Sequence, residues 1–185
     1  MQIMNKKKPA PAPTPLTFRQ CQERAAAVAP TLRRRLAAFV YESMLLFGVL
    51  MSTALVYGIA MGQHHALAHR QGLQAAVFLV LAFYFIWFWS HGGQTLAMKT
   101  WHVRLVSSDG SAVSLPRALA RYMLGWLWVM PSVAVCWLAG WHESRLLYGA
   151  IFAWVVFYAA LSWLLPRRQF LHDMLSGTRV IDTRL

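Results

Sequence analysis

The sequence predicts an all-α membrane protein with four transmembrane helices and a small β element at one membrane face. Three observations carry this. Hydrophobic residues make up 58% of the 185-residue chain and charged residues only 13%, against roughly 25% charged in an ordinary soluble domain. Four apolar stretches approach the length of about 20 residues that a helix needs to cross a bilayer. The basic residues are segregated, sixteen of the eighteen lysines and arginines falling outside two of the connections. Lipid offers the backbone no hydrogen bonds, so apolar runs of this length have to be helical.

The elements follow in order. Residues 1–30 begin MQIMNKKKPAPAPTPLTF. This is charged, with no apolar core before the prolines, so it reads as a disordered cytoplasmic tail rather than a cleaved signal peptide. The membrane domain then covers 31–182, with 183–185 as a short end. Thr31 is placed to cap a helix starting near Leu32. The first span, about 36–61, serves as an uncleaved anchor, with Arg33, Arg34 and Arg35 at headgroup level. The second, about 73–90, ends in FYFIWFW, an aromatic cluster suited to the interface. Between them His65 and His69 share a helical face that suits a metal. No carboxylate or cysteine accompanies His64, His65 and His69, so a solvated loop without metal is the expectation. The third span, about 122–140, contains Pro131, expected to kink it for packing, with a moving hinge as the alternative. The fourth covers about 146–165.

Polar connections carry the β element. TWHVRLVSSDGSAV reads as strand, Asp-Gly turn and strand, and GTRVIDT in the tail supplies a third strand. Two strands alone are marginal in water, so a three-stranded sheet is expected, with residues 102–106 pairing with 179–182. Gly92 and Gly93 break the helix after span two; Gln94, Thr95 and Lys99 follow without the spacing of a nucleotide-binding loop.

Charge sets orientation and partners. The N-terminal segment, the connection between spans two and three, and the tail hold the sixteen basic residues, leaving Arg70 and Arg145 elsewhere. The positive-inside rule puts both termini in the cytoplasm. The net charge of +12 therefore faces anionic lipid headgroups; no motif or separate basic domain supports nucleic-acid binding. Cys21 and Cys136 fall in different environments and form no disulfide framework.

The candidate site starts from Glu42, a carboxylate inside the first span. Ionisable groups there face the bundle, need a partner, and mark functional sites by default. Arg35 lies two helical turns away, about 10 Å along the axis, too far for a direct bridge within the helix. The partner is a basic residue on another segment, a hydroxyl or water. Asp173, after Arg167, Arg168 and His172, is the second carboxylate.

These blocks resemble the RDD family of bacterial integral membrane proteins. Arg35 and Ala38 match its arginine and small residue, and Glu42 stands at its first aspartate position. Gly93-Gln94-Thr95, Lys99, Arg104 and the Asp109-Gly110 turn match its second block, followed by Arg121. Asp173 matches its second aspartate, followed by Gly177-Thr178. The resemblance covers about 32–182. Glu42 is longer than the aspartate by one methylene, and Ala97-Met98 stands where Gly-Lys is frequent. The resemblance implies a multi-pass protein of the bacterial inner membrane, in a family described as transporters of unidentified ligands.

The resulting expectation is a transporter of a small ligand or ion (proton or cation), using Arg35, Glu42, Asp173 and Arg121. Gln94, Thr95, Lys99, Arg104 and His172 are secondary candidates. Glu42 is expected to need a cationic partner, with Arg35 or Arg121 on the same side of the bundle and Asp173 close enough to share the positive charge. The alternative is a membrane scaffold or assembly partner in which the cluster is structural. No nucleophile–base pair supports an enzyme, no cofactor is expected, and four spans favour a homo-oligomer.

Overall fold

The structure is a computed structural model that describes residues 16–62, 70–141 and 143–184. Helix α1 is Phe18–Ala26, α2 Leu32–Ala60, α3 Arg70–His91 and α4 Leu96–Thr100; strand β1 is Val103–Ser107. Helix α5, Leu115–Gly125, runs through a 3₁₀ turn at Trp126–Trp128 into α6, Met130–Leu138. Helix α7 is Ser144–Leu161, α8 Leu171–Leu175 and β2 Thr178–Asp182.

Among the described residues, three helices are long and apolar enough to cross a bilayer: α2, α3 and α7. The fourth span is a bent pair, α5 with its 3₁₀ turn and α6, meeting at 46°. Strands β1 and β2 are hydrogen-bonded to each other, so the chain must leave and re-enter one face between them. That requires an even number of crossings, and the bent pair with α7 supplies two. Proline explains the break. Pro131 has no N–H to give Leu127, four residues back; the Trp154 indole of α7 donates to that carbonyl instead, at 2.8 Å.

The β element differs from the expected three-stranded sheet. It has two antiparallel strands, with Val103 opposite Asp182 and Leu105 opposite Val180. The pairing of β1 with the tail is as read from the sequence; the third strand does not form. The turn closes through Gly110 N–H to the Ser107 carbonyl, at 2.9 Å. Val113 then buries itself in the core and Ser114 opens α5, which leaves too few residues for a strand.

What stabilises two strands is a cover on both faces. Val103, Leu105 and Val180 pack with Ala38, Trp89 and Tyr122 on the helix side. Val106 and Ile181 pack against Cys21 and Ala25 of α1 on the other. This corrects the disordered tail: residues 18–26 are a helix, started by a capping box between Thr17 and Gln20. Its residues Cys21 and Ala25, one turn apart, form the apolar stripe that the sheet buries. Residues 1–15 lie outside the described residues, as do His64, His65 and His69.

Arginines fasten this cap. Arg34 bonds the Asp182 carboxylate and also donates to the Trp101 carbonyl at 2.6 Å. Arg24 donates to the Asp182 carbonyl, and Arg179 to the Ala25 carbonyl at 2.6 Å. Burial alone would push the Asp182 carboxyl up, but the Arg34 hydrogen bond and charge hold it below the usual range. Thr31 occupies the N-cap of α2, yet its side chain makes no capping bond. Its carbonyl accepts from the Arg34 and Arg35 N–H groups instead.

Candidate functional site

Helix α2 is 29 residues long, about 43 Å at 1.5 Å per residue, so it overshoots a hydrocarbon core of about 30 Å. Its first turns therefore project towards the sheet. They present three arginines differently: Arg33 is exposed, Arg34 is spent on the sheet, and Arg35 is buried. Arg35 and Glu42 look into a cavity of about 280 Å³. Helix α2 packs on α3 and α4, while α5 packs on α3 and α6 on α7. The cavity fills the gap between α2 and the bent pair. Phe39 of α2 stacks on Trp128 across it, 5.7 Å between ring centres. Its walls are mostly apolar and aromatic, and its polar lining includes Arg35, Glu42, Thr95, Arg121 and His172.

Glu42 is bound by hydroxyls. Tyr84 donates to Oε1 at 2.6 Å, and Thr95 donates to Oε2. Thr95 is held for this because it caps α4, accepting from the Met98 N–H at 3.3 Å. Among the described residues no arginine, lysine or histidine lies within ion-pair distance of Glu42. Arg35 does lie on the same side of the bundle, lining the same cavity as Glu42, but neither it nor Arg121 pairs with the carboxylate, which corrects the expected cationic partner. Two O–H donors satisfy the carboxylate without a second buried charge, and the family-like Gly-Gln-Thr block supplies one of them. Tyr84 was hidden in the aromatic run at the end of span two, where nothing in the linear sequence separates an interface ring from a bundle-facing one.

Arg121 is used elsewhere. Its Nε and Nη2 both reach Asp173 Oδ1 at 2.8 Å, joining α5 to α8. Its guanidinium lies 4.2 Å from the centre of a Trp89 ring. Asp173 is fully buried, and His172 Nε2 lies 3.3 Å from the same oxygen. The Tyr158 hydroxyl accepts from the His172 backbone N–H at 3.1 Å and lies 3.0 Å from Nδ1. It has one proton to give, so it donates to Nδ1 and leaves the imidazole proton on Nε2, facing Asp173. Burial pushes the His172 imidazole down to about 4, against the smaller raising effect of Asp173.

Arg35 has no such partner. Its guanidinium sits 4.1 Å from the centre of the Phe170 ring, a contact worth up to about 2 kcal/mol when desolvated. Its Nε and Nη1 are buried without a hydrogen-bond partner among the described residues, and so is Asp173 Oδ2. The predicted cluster therefore divides in two. Arg121, Asp173 and His172 form a set closed on Asp173 Oδ1, with Arg121 and His172 also at the cavity's edge; Arg35 and Glu42 stand on its wall with no ion-pair partner among the described residues.

Of the secondary candidates, Thr95 and His172 join the site. Gln94 does not: it donates to the Val103 carbonyl at 2.8 Å and ties α4's approach to β1. Lys99 is exposed, and Arg104 lies on β1; neither lines the cavity. Gly93 serves the same local join. It has φ +69°, and a Cβ there would stand 2.3 Å from the Leu105 carbonyl oxygen.

A family model described as the RDD family matches residues 29–177. That span starts just before α2 and ends just before β2, so it contains every residue of the cavity and of the closed set except Val180. No curated protein and no solved structure matches the chain.

Proposed function

The chain belongs to the RDD family, and from that premise we propose that it is a non-enzymatic transporter of a small ligand or ion in the bacterial inner membrane. Both termini are cytoplasmic in this reading, since the arginine-rich cap around the sheet obeys the positive-inside rule on that side. Anionic lipids partner this cap, and a second copy of the chain completes the transport unit.

One observation carries the reading: a cavity lies between two sets of packed helices, with the Glu42 carboxylate and the Arg35 guanidinium on one wall. Packed cores leave few voids, and intramembrane charges on cavity walls belong to ion and substrate paths. Glu42 is the group that takes up a proton or cation in this reading, because among the described residues no cationic side chain pairs with it. The arginines set the field around it.

The scaffold reading has its own support in the closed Arg121–Asp173–His172 set, which joins α5, α7 and α8 as a structural clasp would. Flux separates the two. The full chain in proteoliposomes should speed proton or alkali-cation flux over empty vesicles, and Glu42→Gln should abolish it while the protein still inserts and melts near the wild-type temperature. Glu42→Asp should retain flux. Wild-type vesicles no leakier than empty ones for any tested ion or small ligand would leave the scaffold reading standing.

A further inference from the structure

We propose that the cavity binds an amphipathic anion, its carboxylate or phosphate head on Arg35 and its apolar tail along the aromatic wall. This rests on the transport reading only for what happens after binding; the binding itself stands on the site.

The argument begins with Arg35. It is 6% exposed, and two of its guanidinium nitrogens are buried without a partner. A buried cation in this state is costly unless an anion completes it. Among the described residues no carboxylate lies within ion-pair distance of Arg35: both Glu42 oxygens are held by hydroxyls, Asp173 Oδ1 by Arg121 and His172, and the buried Asp173 Oδ2 is without a partner. Arg121 is likewise taken, so among the described residues the Arg35 guanidinium is the one arginine of the lining without a carboxylate partner. A guanidinium presents paired N–H donors in a plane, which suits carboxylate and phosphate oxygens.

The remainder of the cavity selects the tail. Leu46, Leu81, Phe85, Trp126 and Trp128 line it, and water gains little there beyond the polar end. At about 280 Å³ the space lies near the lower limit of small-molecule sites, about 300–1,000 Å³. A bare inorganic anion would leave the apolar wall wet; an alkyl cation would meet Arg35 with like charge. The chemistry that fits both ends is a single-chain carboxylate or phosphate. It can come from a free anion or from a lipid whose headgroup reaches Arg35.

The test measures binding without flux. The full chain, in a neutral maltoside detergent, is titrated calorimetrically with decanoate, decyl phosphate, decyltrimethylammonium and inorganic phosphate. The two alkyl anions should bind saturably, and the alkyl cation and inorganic phosphate at least tenfold more weakly. Arg35→Gln should weaken decanoate at least about tenfold, as expected for losing one partner of a desolvated charge pair, while Arg35→Lys keeps part of the affinity. Native mass spectrometry distinguishes the sources. A phospholipid retained by the wild type, displaced by decanoate and lost in Arg35→Gln identifies a lipid occupant; decanoate bound with no retained lipid identifies a free anion.

Equal affinity for decyltrimethylammonium, or decanoate binding that a folded Arg35→Gln leaves unchanged, overturns the proposal. Should Arg35→Gln not fold, the wild-type comparison of head groups decides. Leu46→Trp then adds a second check, since it fills the apolar end and should weaken decanoate more than butyrate. Anion binding without any flux would overturn transport alone, and cation flux without anion binding would overturn this inference alone.

Discussion

Asp173→Asn tests what holds the helix bundle to its cap. The carboxylate is fully buried, and Arg121 reaches its Oδ1 with two nitrogens at 2.8 Å. Asparagine keeps the shape and one acceptor but removes the charge. Arg121, whose side chain is only 12% exposed, is then left without its counter-charge. Breaking a buried pair from one side costs about 3–5 kcal/mol. The lower end, about 3 kcal/mol, applies because the Trp89 ring still faces the guanidinium in the variant and such a contact holds up to about 2 kcal/mol. Unfolding in mixed detergent micelles, followed by tryptophan fluorescence, measures the loss. Removing both charges, as Asp173→Asn with Arg121→Met, should recover at least half of it, since the desolvation penalty disappears with the pair. A single variant within about 1 kcal/mol of wild type would refute the clasp, and so would a double variant equal to the sum of its singles, because residues in contact are expected to couple.

The other predictions concern the joints around the cavity. The His172 imidazole titrates near 4 when folded and near 6.5 when free, so the unfolded chain binds the extra proton in that window. Stability should be full above about pH 6.5 and fall by about 3 kcal/mol as pH drops to about 4; His172→Gln should flatten that slope in the same unfolding assay. Trp154→Phe removes the donor to the Leu127 carbonyl freed by Pro131 and should destabilise by about 1–3 kcal/mol, with Trp154→His at neutral pH restoring part of it. Gly93→Ala forces a Cβ against the Leu105 carbonyl at positive φ and should cost at least about 2 kcal/mol, read as loss of folded protein after extraction; a wild-type yield and melting point would show that the join yields easily.

The spans were legible because their physics is local. A run of apolar side chains has one stable form in lipid, whatever it packs against, and α2, α3 and α7 fall within a few residues of the expected spans. The pairing of residues 103–107 with 178–182 was legible for a related reason: two short β-branched runs on the same face have no other edge to use. Helix α1 carries a weaker local signal. Thr17 with Gln20 is a capping pair, and Cys21 with Ala25 is a stripe, but an apolar stripe that narrow means little until the sheet that covers it is known.

The sequence by itself put a carboxylate, Glu42, inside a span and singled out Arg35, Arg121 and Asp173 near the span ends; all four lie at or near the site. Only the tertiary structure decided who partners whom. Glu42 meets Tyr84 and Thr95, 42 and 53 residues away, and Asp173 meets Arg121, 52 residues away. A buried carboxylate accepts equally from a hydroxyl or a guanidinium, so its need for a donor is written in the sequence while the donor's identity is not. That choice follows from how far α2 rises past α4 and how α5 bends onto α3, which are distances set by packing.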